Sequence, residues 1–437
     1  MAGSGDETTR VTRRALLVWL AAVAVYITAT TGRTSFGVAG VAALDHFQID
    51  ASRVAVFTAV QVGVYSLMQI PMGLAVDRFG PRRMLVIGAV IMAVGQIILG
   101  LTDSYAIAVS ARVLIGAGDA TAFLSVLRML PNWFPLRRAP VMMQLTSALG
   151  QLGQVLSAVP FAAILYSRGW VTAFVSLGAT GLIVAVAATL VIRDAPDSVR
   201  GTSPGPPVRL ATALRCVLTH PACWQGFFTH FTCIFPQIVF TLIWGVPLMS
   251  LGLGLDQAQI STALVANMVV IMLASPLAGL VSGRAGRSRD LLVVISAAIL
   301  AGIWVWFLLP SEPRTYIALM VVNLIMAMVS PAGNFAFDTV REHLDRRVLA
   351  AGTGLANMGG FTGGMIATQG IGVLLDVAHT GGGPDYVWSD FRLAGWAALA
   401  VWTAGIMGFL LSRRALRKRR GDHHQPVLRT DSAAGKP

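Results

Sequence analysis

Charge is scarce in this sequence of 437 residues, because Asp, Glu, Lys and Arg make up only 12% of it, roughly half the share of about 25% in soluble domains. Cysteine is scarcer still, and the three that occur cannot form the disulfide framework of a small secreted domain. Lysine stands only at Lys418 and Lys436. The low charge excludes a soluble multidomain enzyme. It also excludes a disordered chain and a nucleic-acid-binding protein, even though the formal net charge is +13.

Apolar residues take the place of the missing charge and account for 55% of the chain. A membrane-spanning helix needs about 20 mostly apolar residues, and twelve stretches of the sequence have that length. The sequence therefore predicts an all-α integral membrane protein. The predicted spans are 15–42, 52–76, 84–101, 105–130, 139–166, 170–192, 222–250, 258–283, 290–309, 315–338, 348–376 and 392–412.

The basic residues lie on one side of these predicted spans. If the N-terminus is cytoplasmic, the inner segments hold 27 of the 33 Lys and Arg residues and the outer loops hold four. Such an excess on the inner side is the positive-inside pattern. It predicts a multi-pass protein of the inner (plasma) membrane with both termini in the cytoplasm.

The chain is built from two similar halves. The stretch GLAVDRFGPRR at 73–83 follows the second predicted span, and GLVSGRAGRSR at 279–289 follows the eighth, 206 residues later. Parallel repeats of this kind are typical of transporters whose halves are related by an axis along the membrane normal. The predicted segments are a cytoplasmic N-terminus 1–14, a six-helix bundle 15–192, a cytoplasmic linker 193–221, a second six-helix bundle 222–412 and a basic cytoplasmic tail 413–437.

The first of these repeats resembles the loop between the second and third helices of major facilitator superfamily transporters. That resemblance implies two six-helix bundles related by pseudo-two-fold symmetry, a solute site between them and alternating access. It also implies that the two copies act as gating loops. Their residues are Gly73, Asp77, Arg78, Gly80, Arg82 and Arg83 in the first copy, and Gly279, Arg284 and Gly286 in the second.

Only Arg33, Arg112 and Asp119 are charged residues well inside predicted spans. A charged residue in a span is costly and suggests a function. Arg112 and Asp119 are seven residues apart, which places them on one helix face about 10.5 Å apart. Because this distance is too long for an ion pair, each needs another partner. The three charges sum to +1, which favours an anionic ligand.

The order of Arg33, Tyr65, Gln69 and Pro71, followed by the fourth-span pattern RVLIGAGDATAF, is similar to the anion:cation symporter branch of the superfamily. By this resemblance, Arg33 and Tyr65 hold a carboxylate and Asp119 carries the coupling proton. This chain departs from the branch in having Gly32 before Arg33, and Asp119 where Glu is usual.

Further polar residues in the spans complete the candidate site. Gln61, Tyr65 and Gln69 step by four along the second span and predict one polar stripe. Together with Arg33 and Arg112, these three residues make five candidates for substrate binding. His230 is a second candidate for proton coupling, with a packed structural role as its alternative.

The sequence thus predicts a proton-coupled transporter of a small organic anion, not an enzyme. The alternative is a proton-driven exporter of drugs or metabolites. We expect a monomer in the lipid bilayer that binds protons and a small carboxylate substrate. No cofactor, metal or nucleic acid is expected.

Overall fold

The computed structural model describes residues 12–49, 51–196, 209–378 and 386–422. Parts of the predicted N-terminus, linker and tail, namely 1–11, 197–208 and 423–437, lie outside the described residues. Nearly all of the described chain is helical, as the hydropathy pattern predicts.

The first half contains seven α-helices in its described part. They are α1 (Arg13–Phe47), α2 (Ala51–Phe79), α3 (Pro81–Leu101), α4 (Tyr105–Trp133), α5 (Ala139–Gly150), α6 (Leu152–Leu156) and α7 (Ala162–Val191). A π-helical turn, Ser157–Phe161, joins α6 to α7.

The described part of the second half begins with a short helix and continues with eight more. They are α8 (Leu210–Thr219), α9 (Pro221–Val239), α10 (Gly245–Pro247), α11 (Gln257–Ala285), α12 (Arg289–Leu308), α13 (Tyr316–Val329), α14 (Phe335–His343), α15 (Leu349–Ala378) and α16 (Trp388–Asp422). Turns of π-helix flank α10 at Phe240–Trp244 and Leu248–Gly252, and 3₁₀ turns occupy Gly286–Ser288, Ser330–Asn334 and Arg346–Val348.

Ten helical stretches of the described residues are long and apolar enough to cross a membrane. One of them, Ala139–Val191, is 53 residues long, and Gly169 interrupts it with a φ of 84°. The chain is therefore a multi-pass membrane protein, as predicted. The helix α16 continues to Asp422, so it runs into the segment predicted as a basic tail.

The helices begin at residues suited to that position. Thr12 and Thr315 accept hydrogen bonds from the backbone N–H groups of Ala15 and Ala318, and Asp256 forms a capping box with Gln259. Such caps satisfy the first N–H groups of a helix, which have no partner within it.

The two halves meet along two helix pairs. Helix α2 packs against α15, and α5 packs against α11. In both pairs a glycine of a predicted gating loop lies at the contact. A Cβ atom on Gly73 would lie 2.6 Å from the carbonyl oxygen of Ala350, and one on Gly279 would lie 2.8 Å from the Cα atom of Val141. Only glycine allows the backbones to approach so closely.

Ten helix termini lie together at one end of the molecule, which we call the basic end. They are the ends of α2, α4, α7, α11 and α14 and the starts of α3, α5, α9, α12 and α15. Contacts between these elements, such as that of Asp77 with the start of α15, define it. Within the predicted linker, α8 packs its buried Ala213 and Val217 at this end, against α2, α9 and α15.

Candidate functional site

An ion pair between α1 and α4 forms the centre of the site. The Nε atom of Arg33 donates to Oδ2 of Asp119 at 2.6 Å, and Nη2 of Arg33 donates to Oδ1 of Asp119 at 2.8 Å. Asp119 is completely buried, and the Arg33 side chain is 19% exposed. The two parallel hydrogen bonds hold both side chains in a fixed geometry.

This ion pair lies midway along its helices. Asp119 is the middle residue of α4, fourteen residues from Tyr105 and from Trp133. Tyr65 is likewise the middle residue of α2, and the guanidinium carbon of Arg33 lies 4.3 Å from the centre of its ring. Three helices thus bring Arg33, Asp119 and Tyr65 together at one depth, about halfway across the membrane-spanning part.

The polar stripe along α2 connects the cluster of Arg33, Asp119 and Tyr65 to the second half of the chain. Asn357 of α15 donates from Nδ2 to the Tyr65 hydroxyl at 3.0 Å and to Oε1 of Gln69 at 2.9 Å. Gln61 is buried at 1% exposure, and its Nε2 group has no hydrogen-bond partner among the described residues. Tyr65 and Gln69 are therefore tied to the opposite half, while Gln61 keeps an unused donor.

Arg112 lies two turns from Asp119 on α4 and is not paired with it. Its guanidinium carbon is 4.7 Å from the centre of the Phe36 ring, and the residue is 1% exposed. In the described part of the chain, its Nε and Nη1 groups have no hydrogen-bond partner. A buried cation with unused donors is costly unless a ligand or water completes its bonds.

Four rings form a layer between this cluster and the basic end. Phe123 of α4, one turn beyond Asp119, packs on Tyr26 of α1 at 5.3 Å and on Phe337 of α14 at 5.4 Å. Phe337 in turn packs on His230 of α9 at 5.2 Å. The sequence reasoning missed this layer, because its rings come from four separate helices.

His230 belongs to this layer and not to the ion pair. Its Nδ1 atom accepts the backbone N–H of Gly360 at 3.0 Å, and the residue is 5% exposed. This arrangement is the packed, hydrogen-bonded alternative that the sequence left open.

Asp77 belongs to the first predicted gating loop, lies near the end of α2 and binds the start of α15. Its Oδ1 and Oδ2 atoms accept the backbone N–H groups of Ala350 at 3.0 Å and Ala351 at 2.9 Å. Arg128 of α4, which the sequence reasoning did not single out, donates from Nε to Oδ1 at 3.1 Å. A carboxylate at a helix N-terminus is stabilised by the helix dipole, so this contact holds the two halves together at the basic end.

The other residues of the first predicted gating loop do not contact the second half of the chain in the same way as Asp77: one is bonded within the first half and others are exposed. Arg82 donates from its backbone N–H to Oδ1 of Asp194 at 2.7 Å and from Nη2 to the carbonyl of Thr189 at 2.6 Å. These bonds stay within the first half. Arg78 and Arg83 are exposed, and Gly80 has a φ of 90°, which a residue with a side chain adopts only with strain.

The second predicted gating loop lacks a carboxylate at the position that matches Asp77. Gly283 stands there, near the start of α5, and Gly286 has a φ of 48°. Arg284 is exposed. Arg289 instead donates to both carboxylate oxygens of Glu342, each at 3.0 Å, and this pair lies within the second half.

Asp345 lies between α14 and α15. The side chain and backbone N–H of Arg347 donate to its carboxylate and lower its pKa below the usual range.

Among the residues that the structure describes, no cluster of three or more His, Cys, Asp or Glu could hold a metal ion.

Comparison with known proteins agrees with this architecture. The family model of the Major Facilitator Superfamily matches residues 22–368. The chain belongs to the Major Facilitator Superfamily.

Several curated relatives carry the names of organic-acid transporters. The chain is 26% identical over 173 residues to a probable sulfoacetate transporter of Cupriavidus necator, a match that covers 40% of each chain. It is 26% identical over 179 residues to a probable L-galactonate transporter of Escherichia coli, covering 41% of this chain and 39% of that one. It is 24% identical over 209 residues to a hexuronate transporter of Bacillus subtilis, covering 46% and 48%. Each match thus covers less than half the length of the relative.

Proposed function

We propose that the chain moves a small organic anion across the cytoplasmic membrane by alternating access coupled to protons. The observation that carries this proposal is the buried, bidentate pair of Arg33 and Asp119 at mid-depth, with Arg112 as an additional cation nearby. The names of the relatives support an organic acid as the substrate class.

The proposed architecture is twelve membrane-spanning helices in two six-helix bundles related by pseudo-two-fold symmetry. The 53-residue stretch Ala139–Val191 is long enough for two crossings of about 20 residues, with the break at Gly169 between them. The helical run from Pro221 to Gly252 supplies one more span beyond the ten candidates. The matching contacts of Gly73 and Gly279 support the symmetry of the bundles.

The arginine residues support the proposed orientation and an anionic substrate. With the basic end in the cytoplasm, both termini are cytoplasmic, in agreement with the positive-inside pattern. Arg33 and Arg112 exceed Asp119 by one charge while Asp119 is ionised and by two once it is protonated, so the site favours an anion in either state. A cationic substrate of a drug exporter would instead add charge to this excess, which disfavours the alternative.

The coupling step follows from competition for Arg33. While Asp119 is ionised, it accepts hydrogen bonds from both the Nε and Nη2 groups of Arg33. Protonation of Asp119 removes its charge and frees these two donors for a substrate carboxylate, which the Tyr65 hydroxyl can also contact. Deprotonation after the change of access restores the ion pair and displaces the substrate.

The gating step involves the basic end. Here the carboxylate of Asp77, the close contacts of Gly73 and Gly279 and the ring layer keep the path from the site closed. Opening this end requires that Asp77 leave the N-terminus of α15. We propose that a single chain performs the whole cycle as a monomer.

Liposomes containing the purified protein test this function. With an imposed pH gradient, uptake of sugar acids, sulfonated acids and other monovalent carboxylates is measured beside that of cationic dyes. Accumulation of an organic anion that collapses when the gradient is dissipated supports the proposal. Movement of the dyes with no anion transport would contradict it.

A further inference from the structure

A cavity lies in the second half of the chain, apart from the ion pair. It has a volume of about 360 Å³ and lies between α9 with its π-helical turn, α12, α15 and α16. Aromatic side chains make up much of its wall, and they are Phe235, Phe240, Trp244, Trp304, Phe391, Trp396 and Trp402. None of Arg33, Tyr65, Arg112 and Asp119 lines it.

The helix geometry explains why the cavity exists. The helix α9 contains Pro236 and passes into the π turn Phe240–Trp244, which departs from regular α-helical packing. Trp244 turns toward α15 and donates from Nε1 to the carbonyl of Thr368 at 3.1 Å, while Trp402 donates to the carbonyl of Thr232 at 3.2 Å. The space between them and α12 stays open.

Few polar groups line this space. The Nε1 group of Trp304 is buried and has no hydrogen-bond partner within the described part of the chain. Apart from the side chains of Ser389 and Arg392, the remaining wall is apolar. A small hydrophilic solute would lose its hydration here without replacement hydrogen bonds, so the cavity suits a largely apolar ligand.

The mouth of the cavity carries a cation at a fixed position. Arg392 donates from Nε and Nη2 to the carbonyls of Leu308 and Leu309, both at 3.1 Å, at the end of α12. Its Nη1 group makes no hydrogen bond to any residue that the structure describes. The guanidinium thus keeps a donor for an anionic group at the rim.

The rim continues into the lipid-facing surface. Leu309 and Trp396 line the cavity and are exposed by 71% and 65%. Arg314 lies 4.4 Å from the ring of Trp306 at the same end of α12. Tryptophans mixed with arginines are typical of the depth at which a protein meets lipid headgroups.

We propose that this cavity binds one acyl chain of a phospholipid, with the headgroup phosphate at Arg392. The chain enters from the leaflet at the end opposite the basic end, where the exposed rim meets the bilayer. The apolar wall surrounds the hydrocarbon, and the guanidinium of Arg392 donates hydrogen bonds to the phosphate. The bound chain fills the space beside the π turn of α9 and supports that turn against α12 and α16.

Native mass spectrometry of the full-length protein tests this site. The protein is delipidated in detergent and incubated with phosphatidylglycerol, and the tightly retained lipids are counted. Ala398→Trp places a large ring in the cavity, because Ala398 lines it. The matched control is Ala400→Trp on the same helix, at an exposed position that does not line the cavity.

We expect Ala398→Trp to retain one lipid fewer than the wild type, and Ala400→Trp to retain the same number. A second variant, Arg392→Gln, should weaken retention about fivefold, since an arginine near anionic lipid contributes about 1 kcal/mol. Equal lipid counts in all four proteins would overturn the proposal. The proposal would also be overturned if Ala398→Trp retained as much lipid as the wild type and only Arg392→Gln lost lipid. That result would place the lipid on the surface, outside the cavity.

Discussion

Arg33 and Asp119 are 86 residues apart in the sequence, yet both oxygens of the Asp119 carboxylate accept hydrogen bonds from the Arg33 guanidinium. The pair joins α1 to α4 at the middle of the membrane-spanning part. Asp119, which we propose carries the proton, therefore binds the same guanidinium of Arg33 that we propose holds the substrate. In the proposed function, this competition couples proton binding directly to substrate binding.

The Arg33 prediction concerns substrate affinity. Arg33→Lys keeps the charge but loses the two-pronged geometry. We expect the apparent KM for the transported anion to rise about tenfold, because a change of this size corresponds to the loss of one hydrogen bond to a charged group. Initial uptake rates in liposomes measure it. The control is Arg168→Lys at an exposed position, and unchanged transport by Arg33→Ala at equal expression would refute the role.

The Asp77 prediction concerns gating. Asp77→Asn weakens the contact with the N–H groups of Ala350 and Ala351 and with Arg128. We expect net transport to slow about tenfold while substrate affinity stays within about twofold, because the loop is remote from the ion pair. Equilibrium binding and transport are measured on the same preparation. Asp103→Asn, the same change at a 92% exposed side chain, serves as the control. Loss of binding in a well-folded Asp77→Asn protein would show that the residue has another role.

The Gly73 prediction tests the contact between the halves. A side chain at Gly73 would collide with the backbone of Ala350 and Ala351, whereas a Cβ atom at Gly63 on the same helix has no heavy atom within 4 Å. Gly73→Val should therefore prevent closure of the basic end and reduce transport at least about tenfold. Gly63→Val should remain within about twofold of the wild type. Similar activity of the two variants would mean that the α2–α15 contact is not needed.

The charge balance of the cycle gives a fourth prediction. Asp119 is the only acid beside Arg33 and Tyr65 among the described residues, so we expect one proton to accompany one monovalent anion without net movement of charge. A potassium diffusion potential at equal pH should leave accumulation unchanged. A cycle moving one net charge would instead change accumulation about fiftyfold at 100 mV. Potential-driven accumulation would thus rule out this stoichiometry.

The sequence predicted several features of the fold and site. The multi-pass helical fold and the superfamily are confirmed, because long apolar stretches and the 73–83 motif are local signals. Periodicity placed Arg112 and Asp119 on one face but could not show that Arg33 is the partner of Asp119, since that contact depends on how α1 packs on α4.

Other parts of the site have no local signal. Asn357 was one of several asparagines in spans, and only tertiary packing brings it to Tyr65 and Gln69. Arg128 resembles any other arginine at the end of a span, and its contact with Asp77 needs the three-dimensional structure. The ring layer of Tyr26, Phe123, Phe337 and His230 is hidden for the same reason.

The most direct test of the account is Asp119→Asn, which mimics the protonated acid permanently. The variant and the wild type are compared in the same liposomes for uptake driven by a pH gradient and for counterflow, which needs no net proton movement. We expect Asp119→Asn to lose uphill accumulation completely and to retain counterflow of the organic anion. Accumulation of substrate against its gradient by Asp119→Asn would contradict the account, because the proton would then be carried elsewhere.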